Sequence, residues 1–134
     1  MAVHALALLS QDESGHPSDY LAGSVNTNAV FLRRVLGQLA EAGLVEARQG
    51  RTGGYRLARP AARITLSDVY LAVEPDGPLV PSPATPNPRC PIGSGMRQAF
   101  AATAEAARYA LVAELARQTV ADVARTALRR GNSP

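Results

Sequence analysis

Apolar residues in the first third of the chain recur at helical rather than alternating intervals. Over residues 2–10, Leu6 and Leu9 share one face of a helix already under way at Met1, and the polar stretch 11–15 ends it. Pro17 suits a first helical turn and opens a second helix running to Ala22, with Gly23 expected to close it and residues 24–27 to form a tight turn. Asn28 is a natural N-cap for a longer helix. In it Phe31, Leu32, Val35, Leu36 and Leu39 repeat every three or four residues, and Gly43 suits the position just past the end. Arg33, Arg34 and Gln38 fall on the other side of that helix.

The period then changes. Residues 44–48 have strand character, 49–54 form a turn rich in glycine and arginine, and 55–58 read as the returning strand. Pro60 stops the hairpin, and a short helix is expected from about Ser67, a suitable cap with Asp68 in the first turn. Seven of the ten prolines lie from Pro75 to Pro91, which forbids regular helix or central strand there and predicts an extended connector. Residues 92–117 can form one alanine-rich helix with Phe100, Ala104, Ala107, Leu111 and Leu115 along one stripe, and Thr119 to Asp122 has capping-box spacing for a last helix running toward Arg130.

These elements predict a mainly α fold with a small β-hairpin. A winged helix-turn-helix occupies residues 1–74, a proline-rich connecting loop 75–91, and a helical dimerisation region 92–134. The long helix offers more apolar face than so small a domain can cover alone, which points to a second copy as its partner. Intramolecular packing of that face is the alternative.

Charge adds direction. Between Asn28 and Arg63 seven arginines stand against Glu41 and Glu46, so this segment carries +5 while the whole chain carries +3. All 14 basic residues are arginine; this favours forked phosphate contacts and is equally explained by base composition in the gene. In a winged helix-turn-helix the second helix enters the major groove of double-stranded DNA, where arginine pairs with guanine. Thr27, Asn28, Ala29 and Val30 at its start, with Arg33, Arg34 and Gln38 further along, are therefore the candidate reading residues. The hairpin supplies Arg48, Arg51, Thr52, Gly53, Tyr55 and Arg56, suited to the backbone or the minor groove.

A single cysteine, Cys90, excludes an intrachain disulfide framework and fits a reducing cytoplasm. No stretch is apolar and long enough for a bilayer, so no membrane partner is expected. Enzyme chemistry finds no set of residues. The glycine turn 50–54 lacks the lysine and hydroxyl of a phosphate loop, and Gly93-Ser94-Gly95 lacks the surroundings of a nucleophile elbow. The remaining alternative is a winged-helix protein-interaction module whose arginines only solvate its surface.

The stretch NAVFLRRVLGQLAEAGLVEARQGRTGGYRLARP from Asn28 to Pro60, followed by ITLSDVYLAVE from Ile64 to Glu74, resembles the Rrf-two family of bacterial winged-helix regulators. The similarity runs through the proline-rich loop and the long helix. It implies a transcriptional regulator that dimerises through that helix and sets two reading helices on one palindromic operator. The beginning departs from the pattern, because family members carry several more residues before the first helix. Several members hold an iron-sulfur cluster on three cysteines spaced six residues apart near the start of the long helix. Cys90 matches the first, but Met96 and Ala102 occupy the next two positions, so no cofactor of that type is expected. NPRCPIG instead resembles a cluster-free branch with a lone cysteine. Beside Arg89 and just before Pro91, where a helix starts, Cys90 is a candidate redox sensor, since both neighbours favour thiolate; a buried packing role is the alternative.

Overall fold

Leu32, Val35, Leu36 and Leu39, the predicted apolar repeat, are all buried on one side of α3 (Ala29–Glu41), the helix around which the fold is built. The structure, a computed structural model, describes residues 1–51, 53–77, 79 and 84–132. Ahead of α3 lie α1 (Ala2–Leu9) and α2 (Ser18–Val25). Behind it come β1 (Val45–Arg48), β2 (Gly54–Leu57), a 3-10 turn (Ala61–Arg63) and α4 (Leu66–Val73). After the connector follow α5 (Pro91–Leu115) and α6 (Val120–Gly131). This is the expected mainly helical fold with one hairpin.

Local chemistry accounts for the ends of α3. The Asn28 side-chain oxygen accepts from the backbone N–H of Val30 at 2.8 Å and of Phe31 at 3.4 Å, satisfying donors that have no partner within the helix. At the other end Gly43 takes φ +71, which lets the Leu44 N–H reach back to the Leu39 carbonyl at 2.9 Å and drops Leu44 into the core. Phe31, grouped with the apolar repeat in the sequence, is instead 51% exposed, at the edge of the buried face.

Two helix boundaries differ from the sequence reading. Gly23 lies inside α2, which continues to Val25 and stops at Asn26 in the left-handed conformation, φ 56 and ψ 55, with the Thr27 N–H bonded to the Ala22 carbonyl. Asparagine tolerates that conformation, so no glycine is required. The cap of α4 is Thr65 rather than Ser67. The Thr65 hydroxyl accepts from the Asp68 N–H at 3.1 Å, and the Asp68 carboxylate accepts from the Thr65 N–H at 2.9 Å, while Ser67 is buried within the first turn.

The core joins α1, α2 and α3 to Leu44, Val45, Ile64, Val69 and Val120. Its last member shows that α6 packs on the winged helix rather than beside α5. The starts of α4 and α6 lie side by side, linked by Leu66 N–H to the Gln118 carbonyl at 2.9 Å and Val120 N–H to the Ile64 carbonyl at 2.8 Å. The Thr119 and Asp122 box forms as expected, and the Thr119 N–H and hydroxyl together hold the Asp122 carboxyl below the usual carboxylate range. A folded-state pKa below the unfolded one contributes stability above about pH 4 that is lost as pH falls through the depressed value. Melting curves between pH 6 and pH 2 are therefore expected to fall more steeply below about pH 4 for the wild type than for Asp122→Asn. Thr119→Ala is expected to cost about 1 kcal/mol at neutral pH.

No residue of α5 is buried among the described ones. Ala104, Leu111 and Leu115 are half-buried on their own chain, whereas Ile92, Met96 and Phe100 are 70%, 52% and 50% exposed. Arg108 reaches from α5 to the Pro75 carbonyl at 3.4 Å, tying the start of the connector to the helix. Five connector positions, Pro78, Val80, Pro81, Ser82 and Pro83, lie outside the described residues.

Candidate nucleic-acid interface

The buried side of α3 fixes which residues face outward. Val30 is 71% exposed, and Arg33 and Arg34 are exposed on the side opposite the buried leucines. Ala29 is half-buried against the core, and Thr27 sits half-buried in the turn between α2 and α3. The Asn28 oxygen is committed to the cap. Gln38 is half-buried and lines a shallow groove with Met1, Phe31, Arg34 and Glu74.

The adjacent arginines of α3 have different surroundings. The Arg33 Nε–H donates to the Ser18 hydroxyl at 3.2 Å and its Nη2–H to Asp19 Oδ1 at 3.2 Å, both at the start of α2. Among the described residues Arg34 has no ion-pair partner. The sequence reading named Arg33 but missed Asp19 and Ser18, and no local signal points to a pairing across 14 residues.

The wing is a two-stranded antiparallel hairpin in the register Val45↔Leu57, Glu46↔Arg56, Ala47↔Tyr55 and Arg48↔Gly54. Glu46 and Arg56 face each other and form an ion pair with contacts of 2.7 and 2.9 Å, so the Arg56 charge is locally matched. Arg48 and Arg51 are exposed, without ion-pair partners among the described residues, at the far end of the hairpin. Thr52 lies outside the described residues. A hydrogen bond from the Gly53 N–H to the Gly50 carbonyl at 2.9 Å closes the turn.

Backbone pairing fastens the wing root to the segment before α2. His16 and Tyr55 exchange two hydrogen bonds, N–H to carbonyl at 2.9 and 2.8 Å, and the Tyr55 side chain packs on the core. The sequence reading did not foresee this bridge, which sets the wing beside the turn leading into α2. Among the described residues Arg34 on the outer side of α3 and Arg48 and Arg51 on the wing are thus exposed cations without an ion-pair partner.

Cys90 is exposed and caps α5, its sulfur accepting from the Gly93 N–H at 3.3 Å.

Comparison with known proteins agrees with this architecture. The family model Rrf2, described as iron-dependent transcriptional regulator, matches residues 1–126. YwnA of Bacillus subtilis (strain 168), named as an HTH-type transcriptional regulator, is 37% identical over 123 residues, covering 92% of this chain and 91% of its own. A crystal structure described as a DNA-binding protein superposes with a TM-score of 0.72 at 35% identity, covering 91% of this chain and 94% of that one. The T. potens IscR structure superposes with a TM-score of 0.71 over 99% of this chain and 87% of its own, and at 21% identity speaks for the fold alone. The iron in the family description finds no matching donors here. Cys90 is the single thiol, Met96 and Ala102 follow it at the relevant spacing, and among the described residues no three His, Cys, Asp or Glu side chains converge.

Proposed function

Because this chain belongs to the Rrf2 family of transcriptional regulators and is not an enzyme, we propose that it acts in the cytoplasm as a homodimeric repressor on a palindromic DNA operator. The observation that carries this reading is that α3 and the wing both expose arginines that no acid of the described residues pairs. Val30 and Arg34 project from the exposed side of a helix narrow enough for the major groove, while Arg48 and Arg51 on the wing have no matching acids among the described residues. In this reading Thr27, Asn28, Ala29, Val30, Arg33, Arg34 and Gln38 meet bases and adjoining phosphates. Arg48, Arg51, Gly53, Tyr55 and Arg56 form the wing contact. Two such surfaces related by a twofold axis require a twofold operator, and occupancy of that operator blocks access by polymerase.

A selected operator and a random duplex, titrated over a range of salt, test this division of labour. Arg34→Ala is expected to weaken operator binding more than random binding, with a base-reading arginine supplying about 1–3 kcal/mol of discrimination. Arg51→Ala is expected to weaken both duplexes alike and to flatten the salt slope by about one unit. Uniform losses in both variants would remove α3 as the reading element, and binding to neither duplex would favour a protein-interaction module.

We also propose that Cys90 makes the regulator responsive to oxidants. Its sulfur is exposed and holds the first turn of α5, so peroxide can transfer one oxygen atom to it, leaving as water and converting the thiol to a sulfenic acid at the start of the helix assigned to the dimer. Operator affinity is expected to change reversibly with peroxide and reductant in the wild type and to stay constant in Cys90→Ser. Constant affinity in both would leave Cys90 as a cap only.

A further inference from the structure

Arg33 and Arg34 are neighbours on α3, yet among the described residues only Arg33 is held from outside its own helix. Ser18 and Asp19 occupy the first turn of α2 and bind two of the donors on its guanidinium, Nε–H and one Nη2–H, at 3.2 Å each. A guanidinium has about five N–H donors in a planar fork, so both Nη1–H groups and the second Nη2–H have no partner among the described residues. Two contacts on one side fix the plane of the group, and the free donors then have a set direction.

We infer that Asp19 and Ser18 are positioning residues for DNA reading, holding the Arg33 guanidinium in a preset orientation so that it discriminates between bases rather than wandering to phosphates. The inference rests on the proposal that α3 reads DNA.

Three physical points support it. A free arginine loses its rotamer freedom when it docks on a base, whereas one already held by α2 loses it during folding, and preorganisation of this kind favours a single geometry. An exposed carboxylate, 78% accessible on the side chain of Asp19, is repelled by DNA phosphate and lowers affinity for every duplex. As an exposed pair it also adds little to stability, so helix stapling is a weak reason for it to stand there. Lower random affinity together with a fixed fork is a way to gain specificity.

The test compares wild type, Asp19→Ala, Asp19→Asn, Arg33→Ala and the Asp19→Ala/Arg33→Ala double variant on a selected operator and a random duplex over a salt series, after circular dichroism and melting show each is folded. Asp19→Ala is expected to bind random duplex more tightly, with a salt slope steeper by about one unit as Arg33 becomes free for phosphate. At the same time its operator-to-random ratio is expected to fall by about tenfold. Asp19→Asn removes the same charge but keeps an oxygen acceptor, and is expected to retain most of the ratio. The double variant is expected to show the same ratio as Arg33→Ala. A purely stabilising pair would move the melting temperature and leave the ratio alone. If Arg33→Ala lowers the ratio while Asp19→Ala leaves it at the wild-type value, positioning by Asp19 is overturned and the reading role of α3 stands. If neither variant changes the ratio, Arg33 does not read bases and both proposals lose that residue.

Discussion

Phe100→Asp is expected to convert the protein to monomers that keep the wild-type circular dichroism spectrum and lose operator affinity by at least about 100-fold. Phe100, Met96 and Ile92 lie four residues apart on the first turns of α5, and each is at least half exposed in the single chain. A carboxylate at Phe100 therefore costs the isolated chain little. In a helix-helix seam the same carboxylate would be buried without a partner, a penalty of several kcal/mol that exceeds what neighbouring contacts can offset. A monomer holds half of a twofold site and forfeits the binding of its second half. Sedimentation or size exclusion reads the first effect and operator titration the second. Leu111 and Leu115, from the same sequence stripe, are half-buried on their own chain, so charge placed there would disturb fold and assembly together. A Phe100→Asp protein that still sediments as a dimer would place the interface off this end of α5.

Gly54→Val is expected to loosen the wing and to lower stability by about 3 kcal/mol, a large share of the margin of a small domain. Gly54 has φ +155, a conformation that side chains rarely adopt, and a Cβ there would stand 2.5 Å from the His16 carbonyl oxygen and 2.9 Å from the Pro17 nitrogen. Both obstacles are backbone, so the clash is relieved only by parting the wing from the segment that leads into α2. The Tyr55 N–H to His16 carbonyl bond, 2.8 Å long, would open first, and hydrogen exchange at Tyr55 is the direct measurement. Gly50→Ala is the control. It also has positive φ, +106, but its Cβ would enter open space, and a cost of about 1 kcal/mol is expected. Equal melting temperatures for Gly54→Val and wild type would mean that the wing root adjusts without strain.

Much of this molecule is legible from residues within four positions of one another. The repeat Leu32, Val35, Leu36 and Leu39 marked the buried side of α3, and Asn28, Gly43 and the Thr119 to Asp122 box marked helix ends that formed where expected. The same Thr-x-x-Asp spacing at Thr65 to Asp68 is equally legible and marks the true start of α4, two residues ahead of Ser67. Helix periodicity and capping are satisfied by near neighbours along the chain, so they depend little on the rest of the fold. Only the tertiary structure decided that Arg33 is held by Asp19, that Glu46 neutralises Arg56, that His16 pairs with Tyr55, and that α6 enters the winged-helix core through Val120. It also separated the α5 stripe into Leu111 and Leu115, half-buried on their own chain, and Phe100, left 50% exposed. Each of these joins residues distant in sequence, or divides residues that share one periodicity. Their relation is set by how the buried sides of several helices close on one another, and no local pattern along the chain encodes that closure.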